Sequence, residues 1–371
     1  MNKKFWATTF TLSGTIIGAG ILGLPYVFAK SGFLVGIFWL IAIGAIMTFA
    51  NLTLGEITLR TRGKHQLTGY AEKYLGIWGK RFMFFAVIFG IYSALLAYLI
   101  GEGESLSHLI PGNTPPLVFA IFFWIIMTLL LKRGLKGLKR VETYGVVAII
   151  TIILGIFIKS IPLINTTNLT TFYPANFTAP FGVVLFALLG FTSIPELRKE
   201  IKGQEKLLKK AIIFGTLIPI ILYILFSSIF IGILGNNITE VATLSFGPLM
   251  TLLGIFTMLT SYFVLSYSLQ ATFTYDIKTS KATNFILTSL LPLILYLLTT
   301  QLEFVKFTLI LGIGGVVSGG LTGIIILLMA KKAKAFSRNK KDPEIQMPIS
   351  LPLIIILSII FTLGMIVQFI H

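Results

Sequence analysis

Long apolar runs separated by short clusters of Lys and Arg make up most of the sequence. Stretches of about twenty apolar residues are long enough to cross a hydrocarbon core of about 30 Å as a helix. Eleven such stretches occur: 5–29, 34–59, 82–101, 116–131, 141–164, 179–195, 211–234, 248–273, 283–300, 304–330 and 349–370. Each predicts a helix, because a helix satisfies its own backbone groups in lipid. A barrel would show short segments of alternating polarity instead. Between the spans, residues 68–79 place Tyr70, Tyr74, Ile77 and Trp78 on one helical face and predict a short helix at the inner interface. The stretch 331–350, with Pro343 and Pro348, predicts a charged cytoplasmic linker that leaves the last span standing apart.

Composition supports a lipid solvent. Of 371 residues, 56% are hydrophobic and 12% charged, with a mean hydropathy of +0.93. An ordinary soluble chain carries roughly twice that share of charge. The net charge of +17 raises the question of nucleic acid, but its distribution answers it. With the N-terminus in the cytoplasm, 27 of the 30 Lys and Arg residues fall on the inner side and only Lys30, Lys159 and Lys306 on the outer. That is the positive-inside pattern; it excludes a nucleic-acid partner and puts the C-terminus outside the cell membrane. The outer segments hold Glu102, Glu104, Glu240 and Glu303, and the sequons at Asn165, Asn168, Asn176 and Asn237. The absence of cysteine excludes disulfides, thiolate metal sites and cysteine catalysis. Nothing closes the first apolar run with a small-residue cleavage pattern, so it is expected to remain as a span. No obligate protein partner is indicated.

Two spans carry breaks. The first reads Gly14-Thr-Ile-Ile-Gly18-Ala-Gly20-Ile-Leu-Gly23-Leu-Pro25, and the sixth Phe186-Ala-Leu-Leu-Gly190-Phe191-Thr192-Ser193-Ile-Pro195-Glu196. Gly18 to Gly23 match the dinucleotide fingerprint G-x-G-x-x-G literally. No strand precedes them and no acidic residue stands about twenty residues on, so that reading fails. Gly18 lies roughly 20 Å into its span and Gly190 roughly 16 Å into its own, at 1.5 Å rise per residue. Close helix packing through Gly14-x-x-x-Gly18 would explain the first cluster alone. The pair is better explained by two helices interrupted near mid-membrane, since glycine costs a helix about 1 kcal/mol and proline about 3. They lie five spans apart and so run in opposite directions, as two inverted repeats of five helices would place them. Repeat one is then about 5–164, repeat two about 179–330, and 349–370 an extra helix in a single domain.

A broken helix exposes N–H groups at one end and C=O groups at the other, equivalent to about half a charge of each sign. The central third of the membrane holds no Asp, Glu, Lys, Arg or His in this alignment. A zwitterion needs no full counter-charge there: its carboxylate would meet the N–H groups near 18–21, its ammonium the carbonyls near 15–17 and 188–190. That points to a neutral amino acid. Tyr92, Ser93, Thr260, Ser261, Phe186 and Phe191 are candidates to complete the pocket, although a membrane Ser or Thr commonly bonds its own backbone. Glu56 and Glu196, near the cytoplasmic ends of spans two and six, read as paired or solvated, with an anchoring or gating role as the alternative, and Glu102 and Glu104 as outer carboxylates able to accept a proton or attract a cation. Lys159 reads as snorkelling to the outer interface, and the run Gly312 to Gly320 as a close-packing face.

Residues 14–25 (GTIIGAGILGLP), 181–196 (FGVVLFALLGFTSIPE) and 70–76 (YAEKYLG) resemble the amino acid/auxin permease family of the amino acid–polyamine–organocation superfamily. The likeness covers nearly the whole chain. It implies an all-α membrane fold of the leucine-transporter type, five plus five helices in inverted repeat with one extra helix, working by alternating access. It also implies secondary active transport of amino acids driven by H+ or Na+. By the same resemblance, Ile17, Gly18, Ala19, Gly20 and Ile21 would hold the substrate carboxylate through backbone. Phe186, Leu188, Gly190 and Phe191 would line the amine and side-chain side, beside Tyr92. Thr260 or Ser261 would help hold Na+, with Glu102 as an alternative ion-coupling group; no other metal or cofactor is implied. Lys159 lies too near the outer surface to serve as the lysine that some proton-coupled relatives use. The competing readings are a membrane receptor that senses an amino acid without moving it, which no cytoplasmic output domain supports, and a membrane enzyme, for which no nucleophile and base are in place.

Overall fold

A computed structural model describes residues 3–63, 65–133, 138–300, 305–336 and 343–370. The expected charges at Lys64, 134–137, 301–304 and 337–342, with the terminal His371, lie outside them. The chain is a bundle of helices that run up and down between two faces. The end carrying the Lys and Arg clusters is termed the basic face.

The first span is two helices, α1 (Lys3–Ile16) and α2 (Gly20–Ser31), bent by 56° at the residues between them. The chain returns in α3 (Phe33–Arg60) and crosses again in the 43-residue α4 (Leu67–Leu109). α5 (Pro116–Arg133) and α6 (Leu138–Ser160) follow. Short 3-10 turns over 161–176 then lead along the face opposite the basic one. The sixth span is again divided, into α7 (Pro180–Ala187) and α8 (Ile194–Glu200). α9 (Leu208–Leu234) and α10 (Pro248–Ala271) are continuous. α11 (Lys281–Phe285) runs through a π-helical turn into α12 (Leu291–Thr299), and α13 (Phe307–Gly314) through another into α14 (Gly320–Phe336). α15 (Leu351–Ile370) is last. Among the described residues nine helical runs are long and apolar enough to cross a membrane, and the bent α1–α2 pair makes a tenth. The shorter apolar α5 stands where the fourth expected span lies.

α4 is the central pillar, in contact with α5, α10, α13 and α14, while α9 packs against α1, α2, α3 and α6. α7 lies inside both groups. All eight of its residues are buried, as expected for a helix apolar on every side. The glycine run of the tenth span is what admits it. A Cβ on Gly315 would strike the Gly182 carbonyl, and one on Gly319 would come within 3.0 Å of Leu185 and Leu189.

Two expectations change. The 68–79 segment does begin as a short helix, but that helix ends at Gly76, whose φ of 74° and ψ of −163° divide α4 into two helices, so the four expected residues do not share one face. Tyr70 and Tyr74 face the core, whereas Ile77 and Trp78 beyond the break are exposed. Second, the last span does not stand apart. Phe361 packs on Gly323, Met365 on Gly320 and Gln368 on Gly312. The stretch before it is not a solvated linker either: Ile345 is fully buried beneath Gly55, and the Met347 N–H donates to Glu56 Oε2 at 2.7 Å. Glu56 Oε1 meets Arg60 Nε at 2.8 Å and Lys334 Nζ at 3.7 Å, and Lys334 also donates to the Met347 carbonyl. One buried carboxylate therefore ties α3, α14 and the strap ahead of α15.

Breaking a buried ion pair by removing one partner costs more than the pair contributes, because the remaining charge is stranded. Glu56→Leu is expected to destabilise the protein by about 3 kcal/mol, with Glu56→Gln costing less because it retains an acceptor for the Met347 N–H. Thermal unfolding in detergent measures both; equal stability of Glu56→Leu and the parent would show that the carboxylate is not the tie.

Candidate functional site

Both breaks fall where the glycines lie, but the prolines act differently. α1 ends at Ile16 and α2 begins at Gly20, so Ile17, Gly18 and Ala19 form the first break. Pro25 sits within α2, which continues through it. In the sixth span Leu188 to Gly190 leave the helix, and a 3-10 turn at 191–193 leads into α8. There Pro195 is the second helical residue, where its missing N–H costs nothing.

The two breaks touch. A Cβ on Gly20 would collide with the backbone of Ala187, and one on Gly190 would come within 2.9 Å of Leu12 and Ile16. Only glycine allows the interrupted helices to cross this closely. Freed backbone groups find partners inside the protein. The Ala19 N–H donates to the Tyr98 hydroxyl at 3.4 Å, and Gly190 O accepts from Ser193 through both N–H and hydroxyl. The Ile16 and Ala187 carbonyls, at the ends of α1 and α7, lie 2.8 and 2.9 Å from one donor, the hydroxyl of the fully buried Tyr223.

Beside the breaks lies a cavity of about 90 Å³. A single water needs roughly 10–15 Å³ by this measure, so the space admits a small solute. Its backbone wall is Gly18, Ala19 and Gly20. Its apolar wall is made by Phe186, Phe191, Leu189, Ile91 and Ala94, and its polar groups are Thr15, Tyr98, Thr192, Ser318 and Thr322. No lining residue is charged. Leu67, at the start of α4, and Val87 also line it, so the cavity extends toward the basic face. In the other direction the bundle is packed: the Phe307 ring fits between Gly23 of α2 and Gly101 of α4, with Leu311 and Met258 beside it.

The expected site residues divide. Gly18, Ala19, Gly20, Phe186 and Phe191 line the cavity. Ile17, Ile21 and Leu188 are at or beside the breaks but buried in packing, and Gly190 faces Leu12 and Ile16. Tyr92 is not at the site; its hydroxyl donates to the Leu287 carbonyl at 2.8 Å, on the α11–α12 side. Six residues at 3.6 per turn rotate the face by about 240°, and Tyr98 is the tyrosine directed at the break. Thr260 bonds the carbonyls of Phe256 and Thr257 in its own helix, as membrane hydroxyls commonly do, and is also absent from the cavity. Ser261 is close: its hydroxyl lies 3.6 Å, and that of Tyr98 2.8 Å, from where a Gly18 Cβ would stand. Glu102 is not a surface carboxylate at the end of a span, because α4 continues to Leu109. It is wholly buried, and neither oxygen has a partner. Tyr98, Tyr223 and Ser318 are the residues that sequence reading missed. Ser318 alone carried a visible signal, as the polar residue inside the glycine run of the tenth span.

Residues 1–271 match the profile of the tryptophan/tyrosine permease family. The tyrosine-specific transport system 1 of Haemophilus influenzae is 28% identical over 241 residues, covering 64% of this chain and 60% of that protein. The matched part of the chain thus spans about three fifths of that relative. Glutamine transporter 2 of Aliivibrio fischeri is 24% identical over 373 residues, covering 93% of this chain and 92% of the other. Among solved structures, MhsT in complex with L-phenylalanine superposes with a TM-score of 0.68 at 18% identity, over 98% of this chain and 97% of that one. The fold is the leucine-transporter type.

Glycine at the crossing of the two breaks is the most exacting steric requirement in the site. Gly20→Ala is expected to destabilise the protein by about 2 kcal/mol, since overpacking a close contact costs 1–3. Gly155→Ala, where a Cβ meets nothing within 4 Å, is expected to cost nothing. Parallel thermal unfolding of the two variants checks the contrast, and equal melting temperatures would remove the crossing constraint.

Proposed function

The chain belongs to the tryptophan/tyrosine permease family, and from that premise we propose that it is a secondary transporter of neutral amino acids with apolar or aromatic side chains. The observation that carries this reading is the uncharged cavity beside two broken helices. A substrate carboxylate fits the N–H groups at Gly18 to Gly20, where the start of α2 supplies a positive dipole end. Its ammonium fits the lining hydroxyls and the remaining carbonyls of the breaks. Phe186, Phe191 and Ile91 offer an apolar surface to the side chain. A solute bearing a net charge would find no opposing ion in this wall. The named substrates of relatives, tyrosine and glutamine, and the L-phenylalanine in the structural neighbour are all neutral amino acids.

Alternating access supplies the route. The basic face is the cytoplasmic one in this reading, with the N-terminus inside and the C-terminus outside the cell membrane, and the cavity in its present conformation leans toward the cytoplasm. Coupling is to a proton or to Na+, and Glu102 is the group that carries it. It lies one turn beyond Tyr98 on α4, wholly buried, with both oxygens unpartnered. An isolated carboxylate is very costly in such surroundings, so a cycle that buries and exposes it must load and unload a cation.

Purified protein in proteoliposomes is expected to accumulate a neutral amino acid under an imposed H+ or Na+ gradient. A thermal-shift screen of the twenty amino acids identifies which. Gly18→Leu is expected to insert normally and to lose more than about tenfold of uptake, because even a Cβ there comes within 2.8 Å of the Tyr98 hydroxyl. Unchanged uptake by that variant would remove the site, and binding without flux under any gradient would favour a sensor over a transporter.

Glu102→Gln is expected to keep ligand binding and exchange of amino acid across the membrane while losing the response to the driving gradient. The comparison to make is counterflow against gradient-driven uptake; a normal gradient response in the variant would clear Glu102 of the coupling role.

A further inference from the structure

Tyr223 lies in α9 with no exposed surface, and it does not line the cavity. Its hydroxyl meets the carbonyls of Ile16 and Ala187 at 2.8 and 2.9 Å. These are the last residues of α1 and α7, the two half-helices that stop at the breaks. Each such end carries about half a negative charge. Two of them converging in a dry interior repel unless a donor stands between them. A phenol has one proton, so the two carbonyls share one donor, and that shared hydrogen bond bridges the two half-helix ends.

The packing around this point joins the same three elements. Ser13 of α1 donates to the Gly215 carbonyl of α9 at 3.1 Å. The Leu12 side chain fills the space over both Gly215 of α9 and Gly190 of the second break. α1, α9 and the end of α7 thus share one buried contact region, with the Tyr223 hydroxyl as the group that links both breaks directly.

We infer that Tyr223 is a positioning residue that ties the two broken helices to each other through α9, so that they reorient as one body during the transport cycle. It touches no substrate. Its hydroxyl sets the relative position of the backbone groups that do, and its removal leaves the cavity wall intact while freeing the halves to move out of register. The kinetic consequence rests on the transport reading above; the geometric consequence does not.

The test exploits the absence of native cysteine. Nitroxide pairs at Ala7→Cys with Lys281→Cys, and at Lys202→Cys with Lys281→Cys, report the basic ends of α1 and of the chain just after α8 against the foot of α11. In the parent protein both distance distributions are expected to be narrow and to shift together on addition of substrate. Tyr223→Phe is expected to broaden them and uncouple the shifts. Its substrate affinity should stay within about threefold while turnover in proteoliposomes falls at least about tenfold. Tyr223→p-aminophenylalanine, whose amine offers two N–H donors, is expected to restore both turnover and narrow distances. Parent-like turnover and distances in Tyr223→Phe would overturn the inference, as would a Phe defect that the amine does not relieve. Should Tyr223→Phe fail to insert, the amine variant decides alone: parent-like behaviour supports the tie, and loss of turnover with broadened distances overturns it. A parent protein that moves no amino acid would end the transport reading, while the resting distance distributions would still decide the tie.

Discussion

In a membrane interior a peptide group that leaves its helix has no water to turn to, so the protein must supply its partner. Two spans of this chain stop and restart at mid-depth, and the rest of the architecture follows from providing for the groups they free. Tyr98 comes from α4 to the Ala19 N–H, Ser193 turns back to Gly190, and Tyr223 reaches from α9 to the ends of both half-helices. The cavity lies beside Gly18 to Gly20 at the first break, and on the transport reading a solute carboxylate would meet the backbone there. Breaks, tyrosines and cavity are one feature.

The same constraint makes the glycines intelligible as packing residues rather than as flexible ones. Gly20 against Ala187 and Gly315 against Gly182 are places where two backbones come into contact, and Gly190 leaves room for the side chains of Leu12 and Ile16. In lipid there is little hydrophobic drive between helices, so close approach is what holds them. α7 can therefore be buried on every side and still be only eight residues long. It is gripped by α2 on one side and by the glycine run of α13 and α14 on the other.

Much of this was legible in the chain before any coordinates. The apolar runs, the basic clusters between them and the two glycine-plus-proline interruptions carry their meaning locally, since helix length, charge side and helix breaking are properties of neighbouring residues. What was not legible depends on rotation about helix axes and on distant partners. Tyr92 and Tyr98 are equally plausible in a linear reading, and only the phase of α4 sends one to Leu287 and the other to Ala19. Glu56 reads as a paired or solvated span end and is indeed paired with Arg60, but its tie to Met347 was not legible because that partner is 291 residues away. Glu102 looked exposed because α4 continues two turns beyond the apolar run that announced it.

The two faces of the bundle are closed by different chemistry, and that difference bears on how the cavity could change sides. Outward of the cavity the seal is apolar: Phe307 between Gly23 and Gly101, with Leu311 and Met258 alongside. A polar fastening there is Glu240, which accepts from the Thr308 N–H at 3.0 Å and hydroxyl at 2.9 Å and so caps the start of α13. Toward the basic face, charged side chains join α3 to its neighbours, through Glu56, Arg60 and Lys334 on one side and through Arg198 to the Thr61 carbonyl on the other. The cavity reaches toward that second face without being closed by those links. A seal made of apolar side chains can part and re-form without breaking an ion pair, whereas the buried Glu56 cluster cannot. On the transport reading, the mobile barrier is therefore the packed layer around Phe307, and the ionic links hold α3, α8 and α14 together while it opens. Glu102 stands in α4 one residue from Gly101, at the edge of that layer, so that on the same reading loosening Phe307 would open a path to its carboxylate.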